Sequence, residues 1–149
     1  MYNRKPRFAV LREDLFAITG DQLMALILDR LLYDTYKDDD FEAFYDEGLR
    51  EGRFPGIEPT HGWLHKTACD IYCECMANSI DSVRSRLNKM VSKGLLMRRK
   101  HSVINMDRSY DYRVSIGTVI KRLDDIGYTL DISNYVKEDD KIERLPSCR

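Results

Sequence analysis

Apolar positions along the chain fall into blocks whose spacing is first helical, then alternating, then helical again. Leu23, Met24, Leu26, Ile27, Leu28, Leu31 and Leu32 are apolar nearly all round a helix, which predicts a helix buried on most sides. Thr19-Gly20-Asp21 precedes it and supplies Asp21 as N-cap. Phe41, Phe44, Tyr45 and Leu49 recur at helical spacing. They predict a short amphipathic helix capped at Asp39 or Asp40 and stopped at Gly52. Pro55, Gly56, Pro59 and Gly62 make residues 53–62 irregular.

From Thr67 the pattern tightens. Thr67 caps a helix running to about Met76, with Asp70 placed three residues on as in a capping box. A break at Ala77-Asn78 follows, and Ser79 then caps a helix that ends at Gly94, a natural left-handed C-terminal residue. Its inward stripe is Ile80, Val83, Leu87, Met90 and Val91. Residues 95–100 read as a strand and 109–116 as a second. In the latter Tyr110, Tyr112, Val114 and Ile116 alternate with Ser109, Asp111, Arg113 and Ser115. Residues 118–126, with Val119, Ile120, Leu123 and Ile126, form a last helix stopped by Gly127.

Helix, tight turn, helix and hairpin is the order of a winged helix-turn-helix. The expected fold is mainly α with a small β-hairpin wing and extra N-terminal and C-terminal helices. It occupies one domain over residues 1–130, with its core at 63–116, followed by a polar tail at 131–149.

A net charge of −1 hides a segregation. Residues 34–58 hold nine acids and three bases, a balance of −6, whereas residues 79–113 hold nine bases and three acids, a balance of +6. Screening confines each field to about 8 Å at physiological salt, so the local balance decides what a phosphate meets. The competing reading is an ordinary solvated surface. Ser82, Ser85, Arg86, Lys89 and Lys93 lie opposite the apolar stripe of the 79–94 helix, which is the distribution a DNA-reading helix needs. Ser79 at the helix start offers backbone N–H groups to phosphate. The hairpin adds Arg98, Arg99, Lys100, His101 and Arg108 for flanking phosphates. Caps, turn, stripe, basic face and hairpin agree with one another, which favours DNA contact over inert surface.

Other chemistries find less support. His61, His65, Cys69 and Cys73 fall at intervals of four, but no C-x2-C pair accompanies them, and cysteines packed as small apolar groups are the better reading. No metal and no cofactor are expected. There is no Gly-rich phosphate loop, H-E-x-x-H or G-x-S-x-G, so no enzymatic activity is expected either. Asp38, Asp39 and Asp40 read as a helix start, and Trp63, Phe41, Phe44 and Tyr45 as core. With no apolar run of about 20 residues, no leader pattern in the first twelve residues and no disulfide framework among Cys69, Cys73, Cys75 and Cys148, a cytoplasmic protein with reduced thiols and no membrane partner is expected.

Gly62-Trp63-Leu64-His65-Lys66-Thr67, the run from Ser79 to Leu96, and Met106-Asp107-Arg108-Ser109-Tyr110-Asp111-Tyr112-Arg113-Val114 together resemble winged-helix proteins of phages, plasmids and conjugative elements. In that family a tryptophan-bearing strand opens the motif and a "DRT-x-x-YRV" strand closes the wing. Thr19-Gly20-Asp21 and Ile126-Gly127-Tyr128 extend the likeness over roughly residues 8–130. Tyr72 and Met76 depart from the small residue and the glycine usual in such turns. Members are often described as replication-associated or initiator proteins. The resemblance therefore implies sequence-specific binding to double-stranded DNA in replication initiation or its control, with replication proteins as possible partners. Two alternatives stay open. One is a transcriptional regulator, dimerised through Val119, Ile120 and Leu123 of the last helix. The other is a winged-helix interaction module that uses the acidic helix at 39–52.

Overall fold

Short capping signals set several of the helix boundaries in the computed structural model, which describes residues 6–50, 58–101 and 109–131. Helix α1 (Glu13–Thr19) ends at Gly20, whose φ of 72° lets the chain reverse into α2 (Gln22–Lys37). The Asp21 carboxylate accepts the Met24 N–H at 2.9 Å and caps α2. Helix α3 (Phe41–Leu49) follows almost at once, with Asp40 at its N-cap position. Strand β1 (Leu64–Lys66) leads into α4 (Ala68–Glu74). Thr67 and Asp70 form the reciprocal capping box expected of them, both bonds at 3.0 Å. Helix α5 (Ile80–Ser92) starts under the Ser79 hydroxyl, which accepts the Ser82 N–H, and ends before Gly94, at φ 77°.

Strands β2 (Leu96–Lys100) and β3 (Tyr110–Val114) close an antiparallel sheet in the order β1-β3-β2, and helix α6 (Ile116–Asp125) completes the described elements. The architecture is thus mainly helical with one small three-stranded sheet. Strand β1 lies where the resemblance implies a strand, directly after Trp63. Two features differ from the sequence reading. Glu13–Thr19 forms a helix that the sequence pattern did not give. The second hairpin strand stops at Val114, because Ile116 turns into α6 and is buried there. The hairpin tip with Arg108, the helix stop expected at Gly52 and the polar tail beyond Asp131 lie outside the described residues.

The core gathers Leu28 and Leu31 of α2, Ile71 of α4, Val83, Leu87 and Met90 of α5, and Val119 and Leu123 of α6. This corrects the dimerisation surface expected from the sequence. Val119 and Leu123 are fully buried within the chain, and Ile120 is partly buried against the same core, so these three residues are taken up by the chain's own fold, while Ile126 at the helix end is half exposed.

Alternation of apolar and polar residues, as along β3, ordinarily marks a half-buried strand. As the central strand, β3 is covered on both faces. Arg113 is completely buried: its Nε donates to the His61 carbonyl at 2.7 Å, its Nη2 pairs with Glu47 Oε1 at 3.3 Å, and its guanidinium lies 5.1 Å from the Phe44 ring centre. Burial works to raise the Glu47 carboxyl. Hydrogen bonds from the His61 N–H and from Thr60, with the Arg113 charge, outweigh it and hold the group below its ordinary value. The acidic helix α3 is therefore fastened to the sheet by Glu47, and it packs on α6 and α2, whereas α5 packs on α4, α2 and β2.

Close approach of α3 and α6 depends on two glycines. A Cβ on Gly117 would lie 2.7 Å from the Gly48 carbonyl oxygen, a backbone atom that cannot rotate away. Gly117→Ala is expected to cost about 1–3 kcal/mol through forced separation of the helices. Urea unfolding measures it, and an unchanged midpoint would show that the contact yields freely.

Candidate nucleic-acid interface

Helix α5 presents two distinct polar flanks. Val83, Leu87 and Met90 face the core, while Asp81, Lys89 and Lys93 are exposed and Ser82 and Ser85 partly so. On one flank Arg86 turns toward α2. Its Nε lies 3.4 Å from Asp21 Oδ2, and its side chain is only 31% exposed. Burial works to raise the Asp21 carboxyl, but the Met24 N–H and Arg86 outweigh it and hold the group below its ordinary value. Lys93 Nζ donates to the Thr19 carbonyl on the same flank at 3.2 Å. Arg122 of α6 donates to the Lys93 carbonyl and so satisfies the helix end.

On the other flank Arg84 and Asn88 face the hairpin. Asn88 Oδ1 accepts Arg98 Nη1 at 2.6 Å, and the Arg98 guanidinium lies 4.8 Å from the Tyr110 ring centre. Between α5 and the sheet runs a cleft of about 560 Å³, lined among others by Thr67, Cys69, Arg84, Asn88, Arg98 and Tyr110. Arg84 is 65% exposed, pairs with Asp81 at 3.2 Å, and was not among the residues singled out from the sequence. A helical wheel places it at the border of the apolar stripe, where it reads as neither core nor groove.

Strand parity divides the cations of the hairpin. Leu96 enters the core, so Arg98 and Lys100, two and four residues on, share its side of the sheet and stand beside α5. Arg99 points to the opposite face, and the His101 ring meets it there at Asp111. Arg99 Nε pairs with Asp111 Oδ2 at 3.2 Å, and its guanidinium lies 4.2 Å from the Trp63 ring centre. His101 Nδ1 lies 2.8 Å from Asp111 Oδ1. The sequence grouped these four residues as one basic surface. The sheet separates them into an α5-side pair, Arg98 and Lys100, and an outer-face pair, Arg99 and His101. Arg108 lies outside the described residues.

The outer face holds a cluster that sequence spacing did not suggest. His65 of β1 is the register partner of Asp111, and its ring stacks on His101 with centres 3.7 Å apart. Burial works to raise the Asp111 carboxyl, while hydrogen bonds from His101 and Arg99 outweigh it and hold the group below its ordinary value. The histidines and cysteines considered together from the sequence are not gathered in this way. His61 faces Asp40 at 3.5 Å, Cys69 is exposed, and Cys73 is held in a disulfide, which corrects the reduced thiol expected there. Cys75 is a buried free thiol pushed up to about 12, chiefly by burial and then by Glu74.

No protein-family model, curated protein or solved structure matches the chain. Among the described residues, no helix is long and apolar enough to cross a membrane.

Proposed function

We propose that the chain is a winged helix-turn-helix protein that binds double-stranded DNA, with α5 as the reading helix and the β2–β3 hairpin as the wing. One observation carries this reading. Arg84 of α5 faces the side of β2 that bears Arg98 and Lys100, Lys89 and Lys93 lie exposed further round the same helix, and the Arg98–Asn88 hydrogen bond ties helix to hairpin. Ser79, Ser82 and Ser85 lie on the helix between these charges, where short side chains let a groove approach the backbone. Arg86, held partly by Asp21, keeps its terminal guanidinium nitrogens for a base edge or a phosphate near the α2 start. The acidic helix α3, fastened to the other side of the sheet by Glu47 and Arg113, leaves this surface open. The role in replication initiation or its control in a mobile element rests on the sequence resemblance described above.

Five phosphates neutralised by these five cations give an expected slope of log K against log salt of about −4.5. Fluorescence anisotropy of the full chain on duplex DNA over a salt series measures it. Absence of binding at low salt, or binding indifferent to salt, overturns the reading and leaves an interaction module in its place.

A further inference from the structure

We propose that His65, His101 and Asp111 form a binding site for a divalent transition-metal cation of the zinc class on the outer face of the sheet. The donors come from three adjacent strands: His65 from β1, Asp111 from β3, and His101 from the residue following β2. Backbone pairing fixes them. His65 is in register with Asp111, and the His101 N–H donates to the Ser109 carbonyl at 3.2 Å.

His101 Nδ1 lies 2.8 Å and His65 Nδ1 3.4 Å from the same oxygen, Asp111 Oδ1, and the three ligand atoms all fall within 4.8 Å of one another. Donors held about 2.0–2.2 Å from a tetrahedral zinc are separated by about 3.3–3.6 Å. Small side-chain rotations on fixed strands therefore bring all three into a coordination shell.

A polar imbalance points the same way. His65 Nδ1 is out of contact with solvent and makes no hydrogen bond among the described residues, although a carboxylate oxygen faces it. Asp111 Oδ1 has already taken His101, whose ring is stacked on His65. His65 Nδ1 thus stands buried beside that oxygen without hydrogen-bond geometry, whereas a cation among the three atoms makes each of them a ligand.

The surroundings suit a metal that keeps an open position. Arg99 occupies the second carboxylate oxygen, Oδ2, and so orients the ligand from outside the coordination shell. The histidine side chains are 32% and 42% exposed, which leaves a route for loading and room for a water. Two imidazoles with one carboxylate favour zinc, cobalt or nickel over calcium or magnesium, which prefer oxygen ligands. The bound ion would tie β1 and β2 to the central strand at the loop end of the hairpin. Neither the site nor its occupancy depends on DNA binding.

The test uses the full chain, stripped with chelator and titrated with zinc by calorimetry and with cobalt by visible absorption. One zinc per chain is expected, with a rise in Tm at saturation and cobalt bands lacking thiolate charge transfer. His101→Gln and His65→Gln should each weaken zinc more than about 100-fold, beyond what loss of an outer partner does. Tm of the metal-free variants shows that they are folded. A Cys69→Ser variant should bind zinc as the parent does. No zinc binding by the parent, binding undiminished in both histidine variants, or binding lost with Cys69 would each overturn the proposal.

Discussion

Glu74→Ala is expected to destabilise the protein by about 3–5 kcal/mol, the usual cost of leaving a buried charge without its partner. Glu74 lies at the end of α4 with a completely buried side chain. Its Oε1 pairs with Lys66 Nζ at 2.6 Å, and its Oε2 lies 3.5 Å from Arg30 Nε. Asp34 closes the network, 2.8 Å from Lys66 Nζ and 3.2 Å from Arg30 Nε. Two carboxylates and two cations therefore balance across α2, β1 and α4. Without Glu74, Lys66 and Arg30 share one carboxylate while both remain about nine-tenths buried. Urea unfolding should show a lower midpoint at unchanged slope, and Tm should fall by roughly 10 °C or more. Asp81→Ala, which removes the exposed Arg84 pair on α5, should change stability by less than about 0.5 kcal/mol. If Glu74→Ala costs no more than Asp81→Ala, water rather than protein compensates the network. The consequence reaches the interface, because Lys66 immediately precedes the Thr67 cap and Glu74 ends the same helix. The network thus sets how α4, and with it α5, stands against the sheet.

This network was invisible in the sequence, although much around it was legible. Asp21, Thr67 with Asp70, Ser79 and Gly94 act within a turn of their own position, so their capping roles follow from local order alone. The stripe Val83, Leu87 and Met90 is equally local, and it named the buried face of α5 correctly. What escaped depended on partners far along the chain. Arg113 and Asp111 alternate with Tyr112 and Val114, a pattern that ordinarily marks a half-buried strand. That inference holds for a strand with one free face, and it fails where Glu47 and Phe44 of α3 cover the other. Met76 was noted as standing where a glycine is usual. It takes φ 51° itself, with the Ala77 N–H closing onto the Tyr72 carbonyl, and so makes the turn at a cost of roughly 1–2 kcal/mol. The division of the hairpin cations was within reach. Once Leu96 is assigned to the core, strand parity alone puts Arg98 and Lys100 beside it and Arg99 opposite.

That division gives the sharpest test of the interface. Lys89→Glu/Arg98→Glu should weaken duplex DNA by about 100-fold or more, since each exposed cation is assigned a phosphate and a charged hydrogen bond contributes roughly 1.5–3 kcal/mol. The salt slope should flatten by about two units as two counterion-releasing contacts disappear. Arg99→Ala should behave differently. Its guanidinium is engaged with Asp111 and Trp63 on the outer face, so DNA affinity should change less than about twofold, while stability falls by about 1 kcal/mol from the lost pairing and stacking. Lys89 and Arg98 are both exposed, so neither reversal removes core packing, and thermal melting confirms that each variant is folded before anisotropy is read. Equal losses in the double reversal and in Arg99→Ala would mean that phosphates reach both sheet faces, and the assignment of the α5-side face as the DNA surface would fail. A double reversal that binds as the parent does would remove α5 and the hairpin from the interface altogether.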